Sequence, residues 1–371
     1  MTTELQPSQA LPPGTVLDGA YRITRLLGQG GMGTVYEAHH TGAGKRLAVK
    51  VMHRGLMAYP ELRARFQREA KVTSELAHAN IVSVFGFGAA PSGEPYLVME
   101  FLEGEDLQTR MEQTGPLPLE SVCQIVSQVA AGLAEAHVAG VVHRDLKPDN
   151  VFLVRAPGDA LFAKVVDFGI SKVLKASATK LTVARAVFGT PEYMAPEQAE
   201  GRQDLIDHRS DQWSLACVAW VALTGCLPFS GPDATTTLNQ VLSAVPTPPR
   251  EGAPRIPAPV EAVLRRAMSR HPPERYPTIR AFARYFEAAV AQVSGAPAPA
   301  RAAAKPAPAP VERLSPEAEE AKTIATPRRR SFPVVVMVTT ALAVLIGLTA
   351  LVRPEPVARW FQQARASLGQ R

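Results

Sequence analysis

The chain is 371 residues long, 46% apolar and 20% charged, with a formal net charge of +6. That is an ordinary globular balance, and because the positive charge is spread along the chain rather than run into a basic tract, nucleic acid is not an implied partner. Three cysteines, Cys123, Cys217 and Cys226, each in an apolar stretch and without metal-type spacing, argue against a disulfide framework or a zinc site and read as buried thiols in a reducing compartment.

Residues 1–20 are polar and proline-containing and lack the apolar run of a signal peptide, so they are expected to form an N-terminal extension to a cytosolic domain. Tyr21 to Glu37 alternates around a glycine cluster, which predicts a strand, a glycine turn and a second strand. In Gly28-Gln29-Gly30-Gly31-Met32-Gly33 the glycines sit where backbone passes close over phosphates and exposes its N–H groups. An ordinary turn produces the same pattern. Dinucleotide-binding folds also open on it, but there a helix must follow, whereas Thr34-Val35-Tyr36-Glu37 is β-branched and aromatic and reads as a strand. Leu47 to Val51 predicts a third strand carrying Lys50, a buried ammonium that needs an anionic partner such as nucleotide phosphates and a carboxylate. Helical spacing over Pro60 to Ala77 places Glu69 as that carboxylate, with a solvated helix-face charge as the alternative. Ile81 to Gly88 and Pro95 to Phe101 read as two more strands, giving a small β-rich lobe with one helix among five strands.

From Leu119 to Ala139 the spacing is helical, and Asp211 to Thr224, Ala258 to Arg270 and Thr278 to Val290 continue a mainly helical larger lobe. Within it, His143-Arg144-Asp145-Leu146-Lys147-Pro148-Asp149-Asn150 precedes Asp167-Phe168-Gly169. An acid, a lysine and two oxygen ligands stand in the order phosphoryl transfer requires, a reaction in which catalysis is mostly positioning and electrostatic stabilisation. Asn150 and Asp167 offer the carbonyl and carboxylate oxygens that a small, hard cation favours. Aspartate and asparagine before strands also cap turns, and His143 reads as a hydrogen-bonded core residue rather than a catalyst. Pro157-Gly158-Asp159 marks an extended hairpin between the two motifs.

Gly28 to Val35, Lys50, Glu69, His143 to Asn150, Asp167 to Gly169, Gly189-Thr190-Pro191-Glu192-Tyr193, Ala195-Pro196-Glu197, Asp211 and Arg275 occur together in one order. On these motifs the chain resembles the Hanks-type (eukaryotic-like) bacterial Ser/Thr protein kinases of the membrane-anchored kind, over roughly residues 21–290. The resemblance implies an α+β, two-lobed protein kinase fold, with a small β-rich N-lobe holding one main helix and a larger mainly helical C-lobe. It implies transfer of the γ-phosphate of ATP to serine or threonine of protein substrates.

Carried over residue by residue, Asp145 would orient the substrate hydroxyl and accept its proton, and Lys147 would neutralise charge on the transferred phosphate, with Lys50 and Glu69 completing the catalytic set. ATP would be held by Leu27, Gly28, Gln29, Gly30, Gly31, Met32, Gly33, Thr34, Val35, Ala48 and Lys50. Backbone groups of Glu100 and Leu102 would read the adenine edge, and Met99 would guard the pocket behind. Asp106 would reach the ribose or cap the next helix. Asn150 and Asp167 would hold Mg²⁺, with Mn²⁺ as an alternative. His143, Phe168 and Thr190 would support the site, Asp211 would brace the catalytic loop, and Glu197 with Arg275 would close the larger lobe as an ion pair. Arg144 goes with control by phosphorylation of the activation segment, where Thr182 is the first choice and Thr179 the second. A homodimer for autophosphorylation is a further family expectation. The complete set argues against a scaffold without catalysis, and the long segment ending in Ala195-Pro196-Glu197 favours protein over small-molecule substrates.

Ser294 to Pro310 holds eight Ala and five Pro in 17 residues, a semi-stiff tether that supplies no core. Val334 to Val352 is free of charge and would span roughly 28 Å as a helix, close to a bilayer core. The expected order is therefore an extension at 1–20, a kinase domain at 21–291 (N-lobe 21–101, C-lobe 102–291), a juxtamembrane linker at 292–333, one transmembrane helix at 334–352 and a short extracytoplasmic tail at 353–371. Arginines flank the span on both sides and blunt the charge rule for orientation. The need for cytosolic nucleotide places the kinase domain on the cytoplasmic face of the inner (plasma) membrane.

Overall fold

The computed structural model describes residues 11–30, 33–52, 60–155, 161–168, 191–246 and 254–295. Gly31, Met32, Gly169, Thr179, Thr182, Thr190, the hairpin tip at 156–160, and the linker beyond 295 with the expected span and tail lie outside these residues. Among the described residues no helix is long and apolar enough to cross a membrane.

The small lobe is a six-stranded sheet in the order β1-β2-β3-β4-β6-β5, formed by β1 (Val16–Leu17), β2 (Tyr21–Gly30), β3 (Gly33–His40), β4 (Arg46–Met52), β5 (Val84–Ala89) and β6 (Pro95–Glu100). Helix α1 (Pro60–Ser74) lies between β4 and β5 in the chain. All five strand pairings are antiparallel. Ile23, Tyr36, Ala38, Val49, Val51, Tyr96 and Val98 form a compact apolar cluster of their own.

The small-lobe sheet also takes in β1, which lies in the segment that the sequence reading sets apart as an N-terminal extension. Leu17 is fully buried in the small-lobe cluster, the Leu11 N–H donates to the Tyr36 hydroxyl at 2.9 Å, and the Tyr96 hydroxyl bonds the Asp18 carboxylate. A two-residue strand between a Pro-Pro-Gly turn and Asp18-Gly19 is too short to show periodicity, so only its partners reveal it. At the other end of the domain the last helix runs to Ser294, beyond the expected boundary at 291, until Gly295 in the left-handed region stops it.

A second sheet, β7 (Gly104–Asp106), β8 (Val151–Arg155) and β9 (Leu161–Val165), lies in the larger lobe. Around it are α2 (Leu107–Thr114), α3 (Leu119–Val138), α4 (Pro196–Ala199), α5 (His208–Thr224), α6 (Ala234–Ser243), α7 (Ala258–Ala267) and α8 (Ile279–Ser294). Helix α5 is capped at its start by the Asp207 carboxylate on the Arg209 N–H at 2.7 Å, and every residue from Ser210 to Thr224 is buried. Buried all round from Ser210 to Thr224, it has no solvent face there and serves as the axis on which the larger lobe packs. Trp213 stacks on Phe229 with ring centroids 5.1 Å apart, and Gly225 in the left-handed region closes the helix.

Candidate active site

The catalytic-loop motif rests on that axis. Asp211, near the start of α5 and wholly buried, accepts hydrogen bonds from the N–H of His143 at 2.8 Å and of Arg144 at 2.8 Å. His137, in the last turn of α3, donates Nε2–H to the same carboxylate at 2.7 Å. Burial alone pushes the Asp211 carboxyl up, but the His137 bond and the other donors outweigh it and hold the group below the usual carboxylate range. A buried charge without those donors would be strongly destabilising.

Arg144 occupies the left-handed region at φ 67°, a conformation that costs a non-glycine residue roughly 1–3 kcal/mol. Both of its peptide groups are held, the N–H by Asp211 and the carbonyl by Gln198 Nε2 at 2.8 Å. His143 is fully buried, donates Nε2–H to the Val166 carbonyl at 2.9 Å, and accepts the Asp145 N–H at Nδ1 at 3.3 Å. Its ring meets Phe168 edge-on at 4.8 Å, so both residues support the loop by packing. Asp145 is thus set by the backbone on either side. Asn150 donates Nδ2–H to the Asp145 carbonyl at 2.7 Å, which leaves its Oδ1 as the ligand atom.

Lys50 brings in the small lobe. It sits buried in the middle of β4, opposite Val35 on β3 and Leu97 on β6, and its Nζ lies 2.6 Å from Asp167 Oδ2. Asp167 also takes a left-handed backbone, φ 63°. Burial pushes its carboxyl up, but Lys50 more than reverses this, with His143 and Lys147 adding to the effect, so the group is held ionised below its ordinary value. The sequence reading gives Lys50 the Glu69 carboxylate and reads Asp167 as a metal ligand; the structure sets Asp167 at contact distance from the ammonium, and Glu69 lies partly exposed on α1. Behind Asp167 and Phe168 is a small apolar cavity of about 20 Å³ to which Val82, Leu97 and Met99 contribute. Met99 stands opposite Ala48 across the sheet and lines this cavity.

The glycines of the flap divide into two kinds. A Cβ at Gly28 or Gly30 would meet nothing within 4 Å, so these residues face open space. At Gly33 a Cβ would lie 2.4 Å from the Val51 carbonyl, so this glycine lets β3 approach β4. The strand register runs Gly28 to Val35 to Lys50, which sets the open glycines two strands from the ammonium. Leu27 is exposed beside them, and Gln29 pairs with Thr34 across the turn. At the other end of the cleft, Glu100 ends β6 and Leu102 follows in the connection to β7. Of the two alternatives for Asp106, the structure shows the cap: its carboxylate accepts the Thr109 N–H at 2.8 Å and the Thr109 hydroxyl at 3.0 Å.

Lys147 Nζ is 3.7 Å from Asp149 Oδ2, a half-exposed pair of little energetic weight. Glu197 and Arg275, by contrast, form a fully buried fork with both N–O distances 2.8 Å. Arg275 also donates to the carbonyls of Ser269 and Arg209, and Ser210 bonds Glu197 at 2.6 Å, so the charges are satisfied on every side. His137 and Gln198 were not singled out from the sequence. A histidine in a helix's last turn looks like a dipole partner, and a glutamine after Glu197 looks like surface, so neither pattern signalled its role.

Comparison with known proteins places this geometry in context. Residues 21–285 match the profile described as Protein kinase domain. The chain is 44% identical over 274 residues to the serine/threonine-protein kinase Pkn1 of Myxococcus xanthus, covering 74% of this chain and 39% of that protein. The crystal structure of the Mycobacterium tuberculosis PknI kinase domain superposes with a TM-score of 0.59 at 31% identity, over 75% of this chain and 98% of that one. A structure of Rad53 in complex with AMP-PNP superposes with a TM-score of 0.59 at 28% identity, over 72% of this chain and 65% of that one. The match thus spans well under half the length of the Myxococcus relative.

Proposed function

The chain belongs to the protein kinase domain family, and from that premise we propose that it is a bacterial Ser/Thr protein kinase transferring the γ-phosphate of ATP to serine and threonine of protein substrates. The observation that carries the reading is the Lys50–Asp167 contact at 2.6 Å, which joins a cation of the small lobe to an ionised carboxylate of the large lobe.

Each residue has a task set by its surroundings. Asp145, oriented through the bonds of Asp211, His143 and Asn150 to its loop, takes the proton of the attacking hydroxyl. Lys147 offsets charge on the phosphate in transfer, and Lys50 holds the nucleotide's phosphates. The glycine flap, with open space where a Cβ at Gly28 or Gly30 would stand, covers them with its backbone. Asn150 Oδ1 and the Asp167 carboxylate fit Mg²⁺, a hard ion commonly held by one or two carboxylates together with substrate phosphates. When bound, the ion neutralises charge on those phosphates. The AMP-PNP in the Rad53 complex supports an adenine nucleotide as the donor.

The same reading assigns 334–352 as a single membrane span with the kinase domain on the cytoplasmic face, supported by its length and lack of charge. It assigns Thr182, then Thr179, as activation-segment phosphosites that pair with Arg144, and a homodimer as the species that phosphorylates itself. One assay tests the core of it. The full chain, wild type and Asp145→Asn, is incubated with Mg-ATP and a generic basic protein, and modified residues are mapped by mass spectrometry. Transfer to serine and threonine by the wild type alone is expected. Equal labelling by both proteins would refute the assignment, and a Thr182→Ala protein of undiminished activity would refute the switch.

A further inference from the structure

Glu100 and Lys164 form an ion pair that the proposed chemistry does not use. Lys164 stands near the end of β9, three residues before Asp167, and its Nζ lies 2.6 Å from Glu100 Oε1. Neither side chain is well exposed, at 13% and 22%. The same carboxylate oxygen accepts the Ser83 N–H at 2.7 Å, and the Glu100 N–H donates to the Ser83 carbonyl at 2.9 Å. Lys164 also reaches the Ile81 carbonyl at 3.4 Å. On its other side, this connector between α1 and β5 is zipped to β9 by Val82 N–H to Val165 O at 3.0 Å and Val165 N–H to Asn80 O at 2.9 Å. Three segments therefore close a triangle: the end of β6 at Glu100, the connector at 81–83, and the strand that delivers Asp167. Ammonium and carboxylate sit at the vertex where the first and third meet.

We propose that Lys164 is a positioning residue that ties the adenine-reading turn at Glu100–Leu102 to the strand carrying Asp167, so that nucleotide affinity depends on a side chain outside the nucleotide-contacting set. The inference rests on the kinase reading above. A glutamate whose backbone is to present fixed hydrogen-bonding groups needs its orientation held from behind, and a charge-assisted bond of 2.6 Å in a partly dry site is a strong way to hold it. The bed under Asp145 is built from other bonds, through Asp211 and His143, and does not include Lys164. Loosening the triangle should therefore weaken nucleotide binding and leave the chemical step intact.

The test compares wild type, Lys164→Met, Lys164→Arg and the double variant Lys164→Met/Glu100→Met in the full chain, reading KM for ATP, kcat, ADP binding by calorimetry and thermal melting. Lys164→Met should raise KM for ATP and weaken ADP binding roughly five- to twentyfold with kcat held within about twofold, and Lys164→Arg should restore most of the loss. The double variant removes both charges. Its melting temperature should recover while KM stays raised, because an uncompensated carboxylate is gone but the tether is still missing. A double variant with wild-type KM, an equal fall of kcat in Lys164→Met, or unchanged KM and ADP binding in an active Lys164→Met protein would each overturn the proposal. A wild-type protein that binds ADP without transferring phosphate would instead overturn the parent reading.

Discussion

The two walls of the cleft are held in opposite ways. On the large-lobe side, Asp145 stands on a loop whose peptide groups are bound by Asp211, Gln198 and His143, above a helix with no solvent face. On the small-lobe side, β2 is exposed at every position from Thr24 to Gly30, and a Cβ added at Gly28 or Gly30 would meet nothing within 4 Å. Local stability varies across a protein with contact density, so the large-lobe wall is the rigid one and the flap the yielding one. A transfer reaction needs this division, since the reacting groups must keep their geometry while the cover over the nucleotide admits and releases it.

That contrast makes separate predictions for the two walls. The largest effect belongs to Asp145→Asn, which on the proposed role of Asp145 as proton acceptor should lower kcat about 10²–10⁴-fold with a wild-type melting curve. Next, Arg275→Met leaves the buried Glu197 carboxylate without its fork and should cost roughly 3–5 kcal/mol of stability, read by denaturant unfolding. A pH series sharpens the account of Asp211. Its lowered carboxyl contributes stability that is present above the ordinary aspartate range and is lost as pH falls through the folded-state value. The difference in melting temperature between wild type and Asp211→Asn should therefore shrink below about pH 4. The smallest effects separate the glycines. Gly33→Ala should lose about 1–3 kcal/mol of stability against the Val51 carbonyl, whereas Gly28→Ala should stay within about 0.5 kcal/mol and change only KM for ATP. Equal effects at the two glycines would break the comparison.

The rigid wall was also the more legible one in the sequence. His143 to Asn150 and Asp167-Phe168 are contiguous, and their residue types name their own chemistry. What stayed hidden was pairing at a distance. For Lys50 the sequence offered Glu69, and only the fold brings Asp167, 117 residues away, to its ammonium. Asp106 was equally consistent with a sugar contact and a cap until Thr109 was seen on both its oxygens. Gly28 and Gly33 look alike in the primary order, yet one fronts open space and the other fits against β4 backbone. His137 carried no motif at all, since its meaning lies in Asp211, 74 positions further on. Periodicity reports which face of an element is buried, and says nothing of which partner lies against it.

The short strand at Val16–Leu17 has a practical corollary for anyone excising the catalytic unit. A fragment cut at Tyr21, where the family profile begins, would remove Leu17 from the apolar cluster and strip the Tyr36 and Tyr96 hydroxyls of the partners supplied by Leu11 and Asp18. Loss of the buried Leu17 side chain and of those two bonds should lower the stability of such a fragment by roughly 2–5 kcal/mol relative to one that starts before Leu11, read by thermal melting. The piece to clone is therefore longer than homology alone would suggest.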